Sequence, residues 1–230
     1  MDLDRLQQRL EYRFNDPALL LEALTHPSYM IQAEEGDQHN QRLEFLGDAV
    51  LELIISEALF QCYPDLREGQ LTQFRSTLVK SAALVDLATE LELGEFLRVP
   101  EFEGGEVTRS RPSALEDAIE ALIGAMYLDS DLATVRARVL NWYGELPLRL
   151  EQLQNQHNPK GQLQELLQPN IGNNAIEYRV SNEEGPPHER TFTVELLVQD
   201  ELKSVGTGKS KKEAEENAAR SALQDLGTEA

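Results

Sequence analysis

The chain has 230 residues, one cysteine (Cys62), and 21 Lys or Arg against 41 Asp or Glu, a net charge of −20. Such a length supports one large or two modest cores without disulfide staples, and a lone thiol, expected as a small core or near-surface residue, fits a reducing compartment. The charged start MDLDRLQQRLEYRF lacks the apolar block of a signal peptide, and no apolar run approaches the roughly 18 residues of a membrane span. A soluble cytoplasmic protein without a membrane partner is expected, and its acidic balance argues at first sight against nucleic acid.

Residues 3 to 150 read as helical nearly throughout, with apolar residues at helical spacing and breakers at Pro17, Pro27, Pro64, Gly94, Pro100 and Gly104-Gly105. The segment 41 to 60 is apolar on most sides, which predicts a central helix packed all round. Ser113 to Leu128 behaves alike, with Ser113 and Glu116 spaced as a capping box. From Leu150 the texture changes to EQLQNQHNPK, a polar stretch with no core of its own. The organisation expected is therefore an all-α domain over 1–147, a linker at 148–157 and a second domain over 158–228.

The second domain reads differently. Pro159 opens a short helix, IEYRVSN, TFTVELLVQ and LKSVGTG read as strands, and a last helix runs from about Ser210 to Leu226. Phe192, Val194, Leu196 and Val198 alternate with Thr193, Glu195, Leu197 and Gln199, as a half-buried strand requires. The order α-β-β-β-α predicts a small α+β domain, three antiparallel strands with two helices on one face. Five of the six lysines follow residue 158, and three of them sit in Gly208-Lys209-Ser210-Lys211-Lys212. A local positive patch is thus compatible with an acidic body.

Two pairs of acids lie inside the most apolar stretches: Glu44 and Asp48 in RLEFLGDAVLEL, Asp117 and Glu120 in LEDAIEALIGAMYLDS. Spacings of four and three place each pair on one helix face. Buried carboxylates are costly unless a cation meets them, and hard oxygen donors without nearby His or Cys suit Mg²⁺ or Mn²⁺ rather than zinc. Ordinary surface charges paired with Arg42 and Arg111 are the alternative that spacing leaves open.

The string RLEFLGDAVLEL resembles the signature of the ribonuclease III family. LTHPSY at 24 to 29, REGQLTQFRSTLV at 67 to 79, LGEFLR at 93 to 98 and EDAIEALIGAMYLDS at 116 to 130 follow in that family's order. The resemblance implies that Glu44, Asp48, Asp117 and Glu120 bind divalent metal, Asp48 and Glu120 being the foremost catalytic residues. It makes Glu68 an outer or second-metal acid and puts Phe45 at a dimer contact. Many members carry an acid three residues before the signature Glu, where this chain has Gln41, an amide that hydrogen-bonds but brings no charge. His26, beside Pro27, is read as a structural hydrogen-bonding residue at a helix boundary.

PKGQLQELLQ, GPPHERTF and GTGKSKKEAEENAA resemble the double-stranded-RNA-binding family. By that likeness Gln164 and Glu165 reach 2′-hydroxyls and base edges in one minor groove and His188 enters the next. Lys209, Ser210, Lys211 and Lys212 meet phosphates across the intervening major groove. The expectation is a homodimeric, Mg²⁺-dependent endoribonuclease acting on double-stranded RNA, with Mn²⁺ able to substitute. Metal-assisted in-line hydrolysis would leave 5′-phosphate and 3′-hydroxyl ends, with duty in ribosomal and other precursor processing. The rivals are a non-catalytic duplex-RNA-binding regulator, which would lack the acid set, and an acidic helical interaction module suggested by charge alone.

Overall fold

The computed structural model describes residues 2–33, 35–100, 105–157, 159–171, 176–186 and 190–228. In chain order these form α1 (Leu3–Leu10), α2 (Pro17–Ala23), α3 (Gln41–Cys62), α4 (Glu68–Val79), α5 (Ser81–Glu90), α6 (Gly105–Arg109), α7 (Pro112–Asp129), α8 (Leu132–Tyr143) and α9 (Leu146–His157). There follow α10 (Pro159–Ile171), β1 (Ile176–Glu184), β2 (Thr191–Val198), β3 (Glu201–Gly208) and α11 (Lys211–Thr228). The chain divides into two units, 1–153 and 154–230.

In the first unit α3 and α7 form the central pair. Leu43, Val50, Leu51, Ile54, Ile55 and Leu59 of α3 are buried together with Ala118, Ile119, Leu122 and Met126 of α7. The two backbones meet through glycine. A Cβ at Gly47 would run into the Glu120 carbonyl and one at Gly124 into the Leu43 carbonyl, so neither position has room for a side chain. Asp129, at the end of α7, accepts from the Tyr12 hydroxyl and from the Asn15 and Asp16 N–H groups, which fastens the amino-terminal segment to this pair.

Three expectations change. First, α3 is not packed all round: Phe45 is 81% exposed and Phe60 71%, and with Leu53 they form an open apolar stripe along one face. Second, no Ser113–Glu116 capping box forms, because α7 begins at Pro112 with Arg111 as its cap, and proline's fixed φ starts the helix two positions before a Ser113 cap would. Third, the stretch expected as a linker is helical. Leu146, Leu150 and Leu153 recur at helical spacing and are buried in the first unit's core, which orders an otherwise polar α9.

The second unit has an antiparallel sheet in the order β1-β2-β3. Leu163 of α10, Leu196 of β2 and Ala218, Ala219 and Ala222 of α11 make its core. A Cβ at Gly206 would meet the backbone at Ala214 and Ala218, so glycine is what lets α11 lie against β3. The alternation expected in β2 fails at one point: a register shift between Leu196 and Leu197 leaves Leu196, Leu197 and Val198 all buried. Gln199 and Asp200 both take positive φ in the tight turn to β3, as a two-residue hairpin requires. Among the described residues no helix is long and apolar enough to cross a membrane.

Candidate active site

The start of α3 is fixed by its backbone. The Asn40 N–H donates to the Thr25 carbonyl at 2.9 Å, and the Asn40 carbonyl accepts from the Glu44 N–H at 2.8 Å. His26 caps the short 3₁₀ turn 27–31, its Nδ1 accepting from the Ser28 N–H at 3.1 Å, while burial and the nearby Arg111 charge hold its imidazole below the ordinary value. A neutral structural histidine is the result. Gln41 is the first residue of α3 and is exposed.

Because α3 and α7 touch at Gly47 and Gly124, the carboxylates flanking these glycines are brought near one another, Glu44, Asp117 and Glu120 half-buried and Asp48, against the expectation of burial, exposed. Their mutual repulsion is the sign of it. Glu120 is pushed up to about 8 by burial first, then by the charges of Asp48, Glu116, Glu44 and Asp117. Glu44 is raised by burial and by Asp117, Glu116 and Asp48; Asp117 is raised by burial and Glu116. The four acids singled out in the sequence thus lie within electrostatic reach of one another. A fifth, Glu116, joins them, its carboxylate accepting from the Ser81 hydroxyl of α5 at 2.6 Å. In the sequence Glu116 fits a capping box with Ser113, but its spacing of four from Glu120 is the signal that places it near the other acids.

Among the described residues no three acidic, histidine or cysteine side chains are placed as a closed metal cage. The donor set nonetheless suits a hard divalent ion, since desolvated carboxylates that raise one another are relieved by an opposing charge. Glu68 stands elsewhere, at the start of α4, accepting from the Thr72 hydroxyl at 3.0 Å in a groove with Ser56, Phe60 and Arg75. Its charge does not enter the causes that raise Glu44, Asp117 or Glu120.

In the second unit Gln164 is exposed on α10, and His188 lies outside the described residues, as does the side chain of Glu165. The loop into α11 is closed reciprocally: the Ser210 hydroxyl accepts from the Glu213 N–H at 3.1 Å, and the Glu213 carboxylate accepts from the Lys209 N–H at 2.7 Å. Lys211 Nζ lies 5.8 Å from the centre of the Phe192 ring. Lys212 projects outward, 84% exposed, 3.8 Å from Glu216.

The strained carboxylates make metal-free stability pH-dependent. Glu120 holds its proton more tightly folded, at about 8, than its ordinary 4.5, so the associated stability is present below about 4.5 and is lost as pH rises through about 8. Glu120→Gln removes that loss. After discounting for solvent at a half-exposed group, the variant should melt roughly 2–4 °C above the metal-free parent at pH 8.5 and with it at pH 4. Coincident melting curves at pH 8.5 would refute the like-charge account.

Residues 16–145 match the family model described as ribonuclease-III-like, and residues 159–226 match the double-stranded RNA binding motif. A relative named Ribonuclease 3 from Carboxydothermus hydrogenoformans is 46% identical over 99% of this chain and 97% of its own length. Another, from Natranaerobius thermophilus, is 42% identical over 98% of this chain and 96% of its own. The nuclease domain of ribonuclease III from Campylobacter jejuni, solved in a study of flexibility in a region involved in dimer formation, superposes with a TM-score of 0.57 at 37% identity. It covers 61% of this chain and 95% of that one. With a catalytic-domain model covering more than half its length and relatives of this identity from end to end, the chain belongs to the ribonuclease III family.

Proposed function

We propose that the chain is a homodimeric, divalent-metal-dependent endoribonuclease that hydrolyses phosphodiester bonds of double-stranded RNA in the α3/α7 cleft. Mg²⁺ is the ion proposed, with Mn²⁺ able to replace it. The observation that carries this reading is the convergence of Glu44, Asp48, Asp117 and Glu120 from two helices. Arg42 and Arg111, the partners of an ordinary surface reading, make no ion pair with them among the described residues. Bound there, divalent ions would activate water and neutralise charge on the phosphate and its leaving oxygen.

The chain's own residues supply the rest. Glu44, Asp48, Asp117 and Glu120 are proposed to hold the ion, Asp48 and Glu120 foremost, and Glu68 is proposed as an outer acid. Scission with loss of the 3′-oxygen leaves 5′-phosphate and 3′-hydroxyl ends. Gln164, Glu165, His188, Lys209, Ser210, Lys211 and Lys212 are proposed to hold the duplex. The nuclease domain is proposed to run on from 147 to Leu153, since Leu150 and Leu153 pack in its core, with the RNA-binding domain over 158–228. Phe45, Leu53 and Phe60 offer a second copy the apolar stripe that one chain leaves open, and two symmetry-related clefts would give one cut per strand. Processing of ribosomal and other structured precursors in the cytoplasm is the proposed duty.

The test is cleavage of an end-labelled duplex RNA with Mg²⁺ and with chelator. Metal-dependent cuts bearing 5′-phosphates are expected; duplex binding without any cleavage would leave an RNA-binding regulator. Replacing Lys211 and Lys212 by Ala should weaken binding to all duplexes alike and flatten the salt dependence by about one unit of slope per lost phosphate contact. Unchanged affinity and slope would move the RNA surface away from the start of α11.

A further inference from the structure

Glu116 lies on α7 one residue before Asp117 and one helical turn before Glu120. Its charge bears on Glu44, Asp117 and Glu120. The carboxylate is also tethered: Ser81, the first residue of α5, donates its hydroxyl at 2.6 Å, which fixes the side chain at the positive end of a ten-residue helix. The tethered carboxylate adds a negative charge one turn from Glu120 and next to Asp117, which is unfavourable by itself and favourable once a positive charge is bound there.

We infer that Glu116 is a fifth carboxylate of the cleft, a positioning residue that raises its affinity for the divalent ion through charge, with Ser81 holding it in place. The inference rests on the metal-dependent reading above and extends it to a residue outside the four-acid set. Glu116→Gln keeps the shape and an acceptor for Ser81 but removes the charge; Ser81→Ala keeps the charge but releases the tether; Glu116→Asp restores a charge on a shorter stem.

The experiment is titration of the full-length protein with Mn²⁺, free ion being followed by its paramagnetic resonance signal, beside cleavage measured across Mg²⁺ concentrations. One unit charge near a divalent ion in a half-solvated cleft corresponds to about a fivefold change in affinity. Glu116→Gln should therefore weaken Mn²⁺ binding about fivefold and raise the Mg²⁺ needed for half-maximal cleavage by the same factor. Ser81→Ala should show a smaller shift, roughly twofold, and Glu116→Asp should recover most of the affinity. A parental Mn²⁺ isotherm in Glu116→Gln overturns the inference, as does a loss of cleavage that added Mg²⁺ does not relieve. Absence of Mn²⁺ binding by the parent protein overturns the metal-dependent reading itself, and the inference with it.

Discussion

Glu120→Gln or Asp48→Asn should reduce duplex-RNA cleavage by at least about a thousandfold at ordinary Mg²⁺, roughly 4 kcal/mol of transition-state stabilisation, while the variants still shift duplex RNA in a gel. The separation follows from the division of labour. Glu120 sits where burial and four neighbouring carboxylates raise it to about 8, so its charged form depends on a cation, whereas the lysines proposed for phosphate contact belong to another unit. An amide keeps the side chain's volume and an oxygen but loses the charge that draws the ion. Single-turnover rates decide the matter, since they exclude product release. Full cleavage by either variant would remove these acids from the chemistry, and loss of RNA binding together with cleavage would show that the substitution acted through the fold.

A second large effect is expected from a methyl group. Gly47→Ala should destabilise the first unit by about 3–5 kcal/mol, because the new Cβ meets the Glu120 carbonyl and stands 2.9 Å from the Gly124 nitrogen. Both are backbone atoms of a packed helix and cannot rotate away. The helices must separate, and with them the acids on either side, so activity should fall along with stability. Gly69, in the first turn of α4, is the control: nothing lies within 4 Å of a Cβ built there, and Gly69→Ala should be neutral or slightly stabilising, within about 1 kcal/mol. Urea denaturation of both variants checks the contrast. Equal midpoints for Gly47→Ala and the parent would mean that the α3/α7 approach is not set by glycine.

Local periodicity in the sequence was sufficient to place Glu44 with Asp48 and Asp117 with Glu120, because residues three and four apart share a helix face whatever surrounds the helix. It also sufficed for the order of the second unit, whose strands and last helix occur where alternation and turn residues put them. Local pattern misled where a long-range contact or a stronger local signal prevailed. The spacing of Ser113 and Glu116 matched a capping box, yet Pro112 began the helix and Glu116 turned to Ser81, a partner 35 residues away. The polar stretch after Leu150 looked unable to hold structure, yet the first unit's core supplies a surface for Leu150 and Leu153.

What tertiary structure alone decided is which faces meet. Nothing in the spacing of α3 says that Gly47 faces Glu120, that Phe45 and Phe60 are left open to solvent, or that Glu68 lies in a different groove from the four acids. The physical reason is one of range. Helix formation and facing are settled within a turn or two of chain, but the convergence of charge in a cleft depends on the crossing of two helices some 70 residues apart in sequence, an arrangement set by close packing of the whole core.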